Sequence, residues 1–138
     1  MRLRLSLLIA AVGFVAVGCG GSLDSLLGFN EYAGVYSGTW ATVGVGDTGT
    51  VPTMTVQSTG PVSGTLYDTN TQQNGSFTGS MTVSGQFSGT YEYNNAAALH
   101  MSGQFLRTSN PTGLTGVLTE TTSTGNVQVT FTLTQMSG

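Results

Sequence analysis

Few side chains in this sequence could carry out acid–base or nucleophilic chemistry. Among its 138 residues, His100 is the only histidine and Cys19 the only cysteine. Hydrolytic catalysis needs a nucleophile, a base and an orienting group held together in space. The sequence contains no Gly-X-Ser-X-Gly motif and no run of His, Cys and acidic residues with the spacing of metal ligands. We therefore predict that the protein is not an enzyme and holds neither a metal nor a cofactor.

The acidic residues are dispersed along the chain, at Asp24, Glu31, Asp47, Asp68, Glu92 and Glu120. Asp47 and Asp68 fall in loop or strand-end contexts, where turn formation is a sufficient explanation. Glu92 and Glu120 could form the carboxylate pair of a glycosidase only if the fold brought them together. His100 shares the polar face of its predicted strand with Ser102, so we expect it to be exposed.

The residues before Cys19 have the features of an export signal. Arg2 and Arg4 give a basic start, residues 5–17 form an apolar run that is short for a membrane span, and residues 16–18 are small or aliphatic. This ending resembles a bacterial lipobox, in which an aliphatic residue and two small residues precede a cysteine that becomes acylated. The resemblance implies that residues 1–18 are removed and that Cys19 carries a lipid.

A lipid anchor would place the protein in a bacterial cell envelope, with the membrane as its partner. Two or more acyl chains hold a protein on a membrane almost irreversibly, and a lone Cys cannot form an internal disulfide. By the same resemblance, Gly20 in place of Asp after Cys19 implies delivery to the outer membrane. The alternative is a secretory leader whose Cys falls near the cleavage point by chance.

The mature chain would be acidic and nearly free of basic residues. Removal of residues 1–18 leaves six acidic residues against Arg107, with no Lys. Binding to nucleic acid through phosphate contacts needs several Lys or Arg residues. We therefore predict no nucleic-acid partner, and the sequence names no protein partner.

A five-residue unit recurs six times and indicates β structure. It consists of an apolar residue, Ser or Thr, Gly, any residue and a second apolar residue, at 36–40, 62–66, 77–81, 87–91, 101–105 and 114–118. Side chains alternate between the faces of a strand, so each unit places two apolar residues and its Gly on one face. The units are too unevenly spaced for a β-solenoid.

Alternation of apolar and polar residues predicts eight strands, at 34–43, 51–57, 61–68, 75–83, 86–93, 97–106, 113–121 and 126–134. Short connections favour antiparallel neighbours. The predicted fold is all-β, an eight-stranded antiparallel up-and-down barrel that leaves no exposed sheet edge, with a β-sandwich as the alternative. We divide the chain into a signal peptide at 1–18, a lipidated Cys with a flexible tether and plug at 19–33, and a barrel domain at 34–138.

The connection at 84–86 should set the register of its hairpin. A three-residue loop there pairs Met81 with Gly89 and keeps the apolar residues of both strands on one face. The same argument places Met54 opposite Gly64 in the preceding hairpin. In each case a large side chain would cover a mid-strand glycine, an arrangement known to stabilise strand glycines.

The tripeptide Gly38-Thr39-Trp40 lies in the first predicted strand. It resembles the Gly-X-Trp signature of the calycins, the superfamily of lipocalins, fatty-acid-binding proteins and avidins. The resemblance implies an eight-stranded barrel in which Trp40 plugs one end and an arginine packs across it, for which Arg107 is the one available residue. The later lipocalin motifs and the additional tryptophans of a biotin site are absent, so biotin binding is not implied.

The inward face is rich in aromatic residues, methionine and glycine, and it leaves several functions open. A small barrel can be filled by its own side chains or can hold one small ligand. If space remains beside the glycines, a small hydrophobic molecule would bind there. The alternative is a structural or interaction lipoprotein with a packed core. A third possibility is a membrane barrel that turns its apolar face toward lipid. The candidate ligand-lining residues are Tyr36, Trp40, Phe77, Met81, Phe87, Tyr91, Met101 and Phe105.

Overall fold

Eight antiparallel strands close into a barrel in the computed structural model, which describes residues 28–94 and 96–137. The predicted signal peptide, Cys19 and most of the tether lie outside these residues. In chain order the strands are β1 (Gly34–Thr42), β2 (Thr48–Val56), β3 (Pro61–Asp68), β4 (Gln73–Met81), β5 (Gln86–Tyr93), β6 (Leu99–Ser109), β7 (Thr112–Thr122) and β8 (Gly125–Gln135). The predicted all-β barrel is confirmed, and the sandwich alternative is wrong.

Each strand pairs with the next in sequence, and pairing of β1 with β8 closes the barrel. Closure gives every strand two neighbours, so no edge is left unpaired. No helix in the described part of the chain is long and apolar enough to cross a membrane.

The alternating apolar residues point into the barrel and form its core. The five-residue units occupy β1 and β3 to β7, and their apolar members are buried. Phe105 and Leu118 are each only 1% exposed. The alternation of apolar and polar residues therefore predicted correctly which side chains face the inside of the barrel.

The register predicted for the β4–β5 hairpin is wrong by two residues. Met81 lies opposite Phe87, and Gly79 lies opposite Gly89. The three-residue loop lies one residue earlier than predicted: the backbone N–H of Thr82 donates to the Gln86 carbonyl at 2.9 Å, and the N–H of Gly85, at a φ of 84°, donates to the Thr82 carbonyl at 3.0 Å and closes a turn. A shift of two preserves the facing of every side chain, so alternation could not detect it. The predicted pairing of Met54 with Gly64 is confirmed.

The segment before β1 covers one end of the barrel, which we call the closed end. This end carries the β2–β3, β4–β5 and β6–β7 connections. The Asn30 side-chain amide donates to the Met81 carbonyl at 2.7 Å, and the Asn30 Oδ1 accepts the Tyr32 N–H at 3.0 Å. The Tyr36 hydroxyl donates to the Tyr32 carbonyl at 2.8 Å. Of the residues predicted to form the plug, Asn30 and Tyr32 are buried, whereas Phe29 is 44% exposed. The chain therefore enters the barrel through its closed end.

Strand β2 begins at Thr48, before the predicted boundary at residue 51. Its pairing with β3 is irregular between Thr50 and Thr53, where Pro52 offers no backbone N–H. The additional residues pair Gly49 with both Trp40 of β1 and Asp68 of β3. This extension forms part of the wall at the opposite end of the barrel.

Candidate ligand-binding site

The middle of the barrel is filled by its own side chains. Rings lie directly over several of the strand glycines: Phe77 covers Gly64, and a Cβ atom on Gly116 would lie 2.5 Å from the ring of Phe105. Phe87 covers both members of the facing glycine pair of β4 and β5. The remaining space among the central rings is only about 10 Å³, about the least that can hold one water molecule. A central ligand cavity beside the glycines is therefore not present.

The eight residues predicted to line a ligand fall into different parts of the barrel. Phe77, Phe87 and Phe105 surround the small central void, together with Met101. Tyr36 hydrogen-bonds within the closed end, and Met81 accepts the Asn30 amide there through its carbonyl. Trp40, Tyr91 and Met101 line a larger cavity at the opposite end, where the β1–β2, β3–β4, β5–β6 and β7–β8 connections lie.

This cavity, which we call the cup, has a volume of about 130 Å³. An engineered apolar cavity of about 150 Å³ is known to hold a benzene molecule, so the cup has the size of one ring. Its lining residues are Trp40, Thr42, Asp47, Leu66, Asp68, Tyr91, Tyr93, Met101, Glu120, Val129 and Phe131. The cup therefore combines apolar and aromatic side chains with three carboxylates.

One wall of the cup is a row of three residues on adjacent strands. Trp40 of β1 pairs with Gly49 of β2, which pairs with Asp68 of β3. The nitrogen edge of the indole lies over Gly49, where a Cβ would be 2.5 Å from Nε1. Glycine is required there because any side chain would displace the indole.

The Trp40 indole N–H is a buried donor without an acceptor. Trp40 is 8% exposed, and its Nε1 has no hydrogen-bond partner among residues 28–94 and 96–137. An unpaired buried donor costs about 1–3 kcal/mol. This nitrogen is not accessible to solvent, so Trp40 contributes an aromatic wall to the cup rather than a hydrogen-bond donor.

Turns at the end of the barrel that contains the cup hold two of the carboxylates in place. Asp68 is 7% exposed, and its Oδ1 accepts the backbone N–H groups of Asn70 at 2.8 Å and Thr71 at 3.0 Å. The β1–β2 loop folds back on Thr42, whose hydroxyl accepts the backbone N–H of Asp47 at 2.9 Å. The turn-forming role predicted for Asp68 is thus observed, but the same residue also faces the cup.

Burial, and then the acidic surroundings, favour the protonated forms of the cup tyrosines Tyr91 and Tyr93. Burial raises the pKa of Tyr93 to about 12, with further contributions from the charges of Asp68, Glu120 and Asp47. The pKa of Tyr91 is raised further, first by burial and then by the Glu120 carboxylate beside its hydroxyl. Both tyrosines are therefore neutral hydrogen-bonding groups over the whole physiological pH range.

These shifts predict a loss of stability in alkaline solution. Above the ordinary tyrosine pKa of 10.0, the unfolded chain releases protons that folded Tyr91 and Tyr93 retain, so the free energy of unfolding falls as pH rises from 10 through about 12. Denaturant titrations across this range should show a smaller fall in a Tyr91→Phe/Tyr93→Phe variant. Tyr32 and Tyr36, whose pKa values burial also raises, remain in both proteins and serve as the common background. An equal fall in both proteins would contradict the prediction.

The other groups considered for chemistry lie outside the cup. His100 is exposed as predicted, and its Nε2 is 3.3 Å from the Ser88 hydroxyl. Glu92 is exposed in a groove beside Asn74, so it does not pair with Glu120 inside the barrel. Arg107 forms an exposed ion pair with Glu31 at 3.4 Å, and the Arg–Trp packing implied by the calycin resemblance is not formed.

Sequence reasoning assigned no ligand role to Asp68, Tyr93 or Glu120. Their positions nevertheless carry a signal, because Asp68 is two residues after Leu66 and Glu120 is two residues after Leu118, on the inward face of each strand. An acid that continues an inward apolar series marks the mouth of a barrel. Asp47 lies in a loop, where alternation does not indicate the direction of a side chain.

Within residues 28–94 and 96–137, no three His, Cys, Asp or Glu side chains form a group that could hold a metal ion. Comparisons with protein-family models, with curated proteins and with solved structures gave no match.

Proposed function

We propose that this protein is a non-enzymatic binding module of the bacterial cell envelope that takes a small, ring-sized ligand into the cup. The observation that carries the proposal is the 130 Å³ cavity itself, which aromatic side chains and three carboxylates line together. Binding sites combine apolar walls with a few fixed polar groups. Leu66, Val129 and Phe131 supply such walls beside the carboxylates.

The anchor remains part of the proposal. Lipidation at Cys19 would attach the protein to a membrane, with the outer membrane as the expected destination. The described chain begins at the closed end, through Asn30 and Tyr32, and the cup lies at the other end of the barrel.

The single tryptophan makes ligand binding directly measurable. Trp40 is the only Trp in the chain and lines the cup, so its fluorescence reports on the cup alone. We expect a saturable change in emission with at least one member of a panel containing benzyl alcohol, benzylamine, phenylacetate and cyclohexanol. No saturable change with any member would favour the alternative function, a structural or interaction lipoprotein without a ligand.

A matched pair of variants tests whether the ligand binds in the cup or elsewhere on the surface. Val129 is 4% exposed and lines the cup, so Val129→Phe should fill it and abolish the response. Val117 is 51% exposed on the outside of β7, so Val117→Phe makes the same change where no ligand would bind. Circular dichroism should show that both variants retain the fold. A response that survives in Val129→Phe would place binding outside the cup.

A further inference from the structure

The cup concentrates negative charge that no Lys or Arg side chain among residues 28–94 and 96–137 balances. Asp47, Asp68 and Glu120 all line it, and acidic side chains are negatively charged at neutral pH. Arg107 is the only Lys or Arg after Arg4, and it forms its ion pair with Glu31. A positively charged ligand would supply the missing charge.

The walls of the cup suit the same class of ligand. Trp40, Tyr91, Tyr93 and Phe131 surround the cavity. Aromatic faces attract ammonium groups, with a gain of about 0.5–2 kcal/mol that rises as the site becomes desolvated. The buried positions of Trp40 and Tyr91, at 8% and 7% exposure, place such an interaction out of bulk water.

We propose that the ligand of the cup is a small organic ammonium compound with one ring-sized apolar body. This inference rests on the proposed binding function and specifies its ligand class. The ammonium group is held by Glu120 and the other carboxylates, and the body lies among the aromatic side chains. Long-range attraction also favours a cation, since the full chain has a net charge of −3.

Three probes with one common body test the charge preference. Tyramine is cationic, 4-(2-hydroxyethyl)phenol is its neutral analogue, and 3-(4-hydroxyphenyl)propanoate is its anionic analogue. Calorimetry should show that tyramine binds at least about tenfold more tightly than the neutral probe and that the anionic probe does not bind. Raising the salt concentration should weaken tyramine binding. In ¹⁵N NMR spectra, the one indole N–H signal of Trp40 should shift on binding.

A matched pair of acid substitutions tests the location. Glu120→Gln, at a lining position, should remove most of the preference for tyramine over its neutral analogue. Glu92→Gln makes the same change at an exposed position outside the cup and should leave the preference intact. The NMR spectra show at the same time whether each variant is folded.

The outcomes distinguish failure of this inference from failure of the proposed function. If the neutral probe binds as tightly as tyramine, or if Glu120→Gln leaves the preference unchanged, the cation assignment is overturned while a binding cup remains. If none of the three probes shifts the indole signal, the ligand class is wrong, and the fluorescence panel with Val129→Phe decides whether the cup binds anything.

Discussion

Replacement of Gly116 by valine will lower the free energy of unfolding by about 3 kcal/mol. The three atoms nearest to a Cβ at this position all belong to the Phe105 ring, at 2.5, 2.6 and 3.1 Å. That ring cannot easily move, because it is 1% exposed and packs against Phe87 and Phe131 at centroid distances of 6.0 and 5.8 Å. Chemical denaturation of the wild type and the variant measures the difference.

A double-mutant cycle identifies the ring as the cause. In a Phe105→Leu background the ring is gone, so the additional cost of Gly116→Val should fall by more than about 1 kcal/mol. Thr115→Val is the matched control, because the neighbouring side chain is exposed on the outer face and its replacement should change stability by less than about 0.5 kcal/mol. If Gly116→Val costs the same in both backgrounds, ring coverage is not the reason for the glycine.

Replacement of Cys19 by serine will move the protein from the membrane fraction to the soluble fraction. Acyl chains contribute about 0.8 kcal/mol per buried CH₂ group, so losing the lipid proposed at Cys19 would remove most of the free energy of membrane binding. Fractionation of cells followed by immunoblotting measures the distribution. Ser22→Ala, a nearby change that leaves the Cys in place, should keep the protein in the membrane fraction.

Membrane retention of a Cys19→Ser protein that has lost residues 1–18 would contradict the anchor, because the barrel itself would then hold the protein at the membrane. An uncleaved leader would also retain the protein, without any lipid. Mass spectrometry of the purified protein separates these two causes, since an uncleaved leader retains residues 1–18. Loss of the anchor leaves the proposed ligand cup unaffected, because every lining residue lies within the barrel.

The inward or outward direction of the side chains in each strand could be predicted from sequence because alternation is a local property. In β8, Val129, Phe131 and Leu133 are buried and the intervening threonines face outward, which follows from a period of two alone. The same reasoning placed the apolar members of the six repeated units inside the barrel. Strand count, short connections and the cost of an unpaired edge favoured a barrel but left a sandwich as the alternative.

The register of β4 against β5 could not be predicted in this way. Gly79 lies opposite Gly89, and the one ring of Phe87 covers both. A ring can cover a diagonal neighbour on the adjacent strand as well as the residue directly opposite. Facing alone does not distinguish these arrangements, so the choice between a filled core and a central cavity depended on tertiary packing.

Sequence alone therefore determined which face of each strand is buried and how many strands there are, because these follow from local alternation. Only the tertiary structure decided that the strands close into a barrel rather than a sandwich, that rings fill the space beside the glycines and that the cavity lies at one end. Asp47, Asp68 and Glu120 are far apart in sequence and meet only because alternate connections of an up-and-down barrel return to the same end. The candidate site is a consequence of that closure.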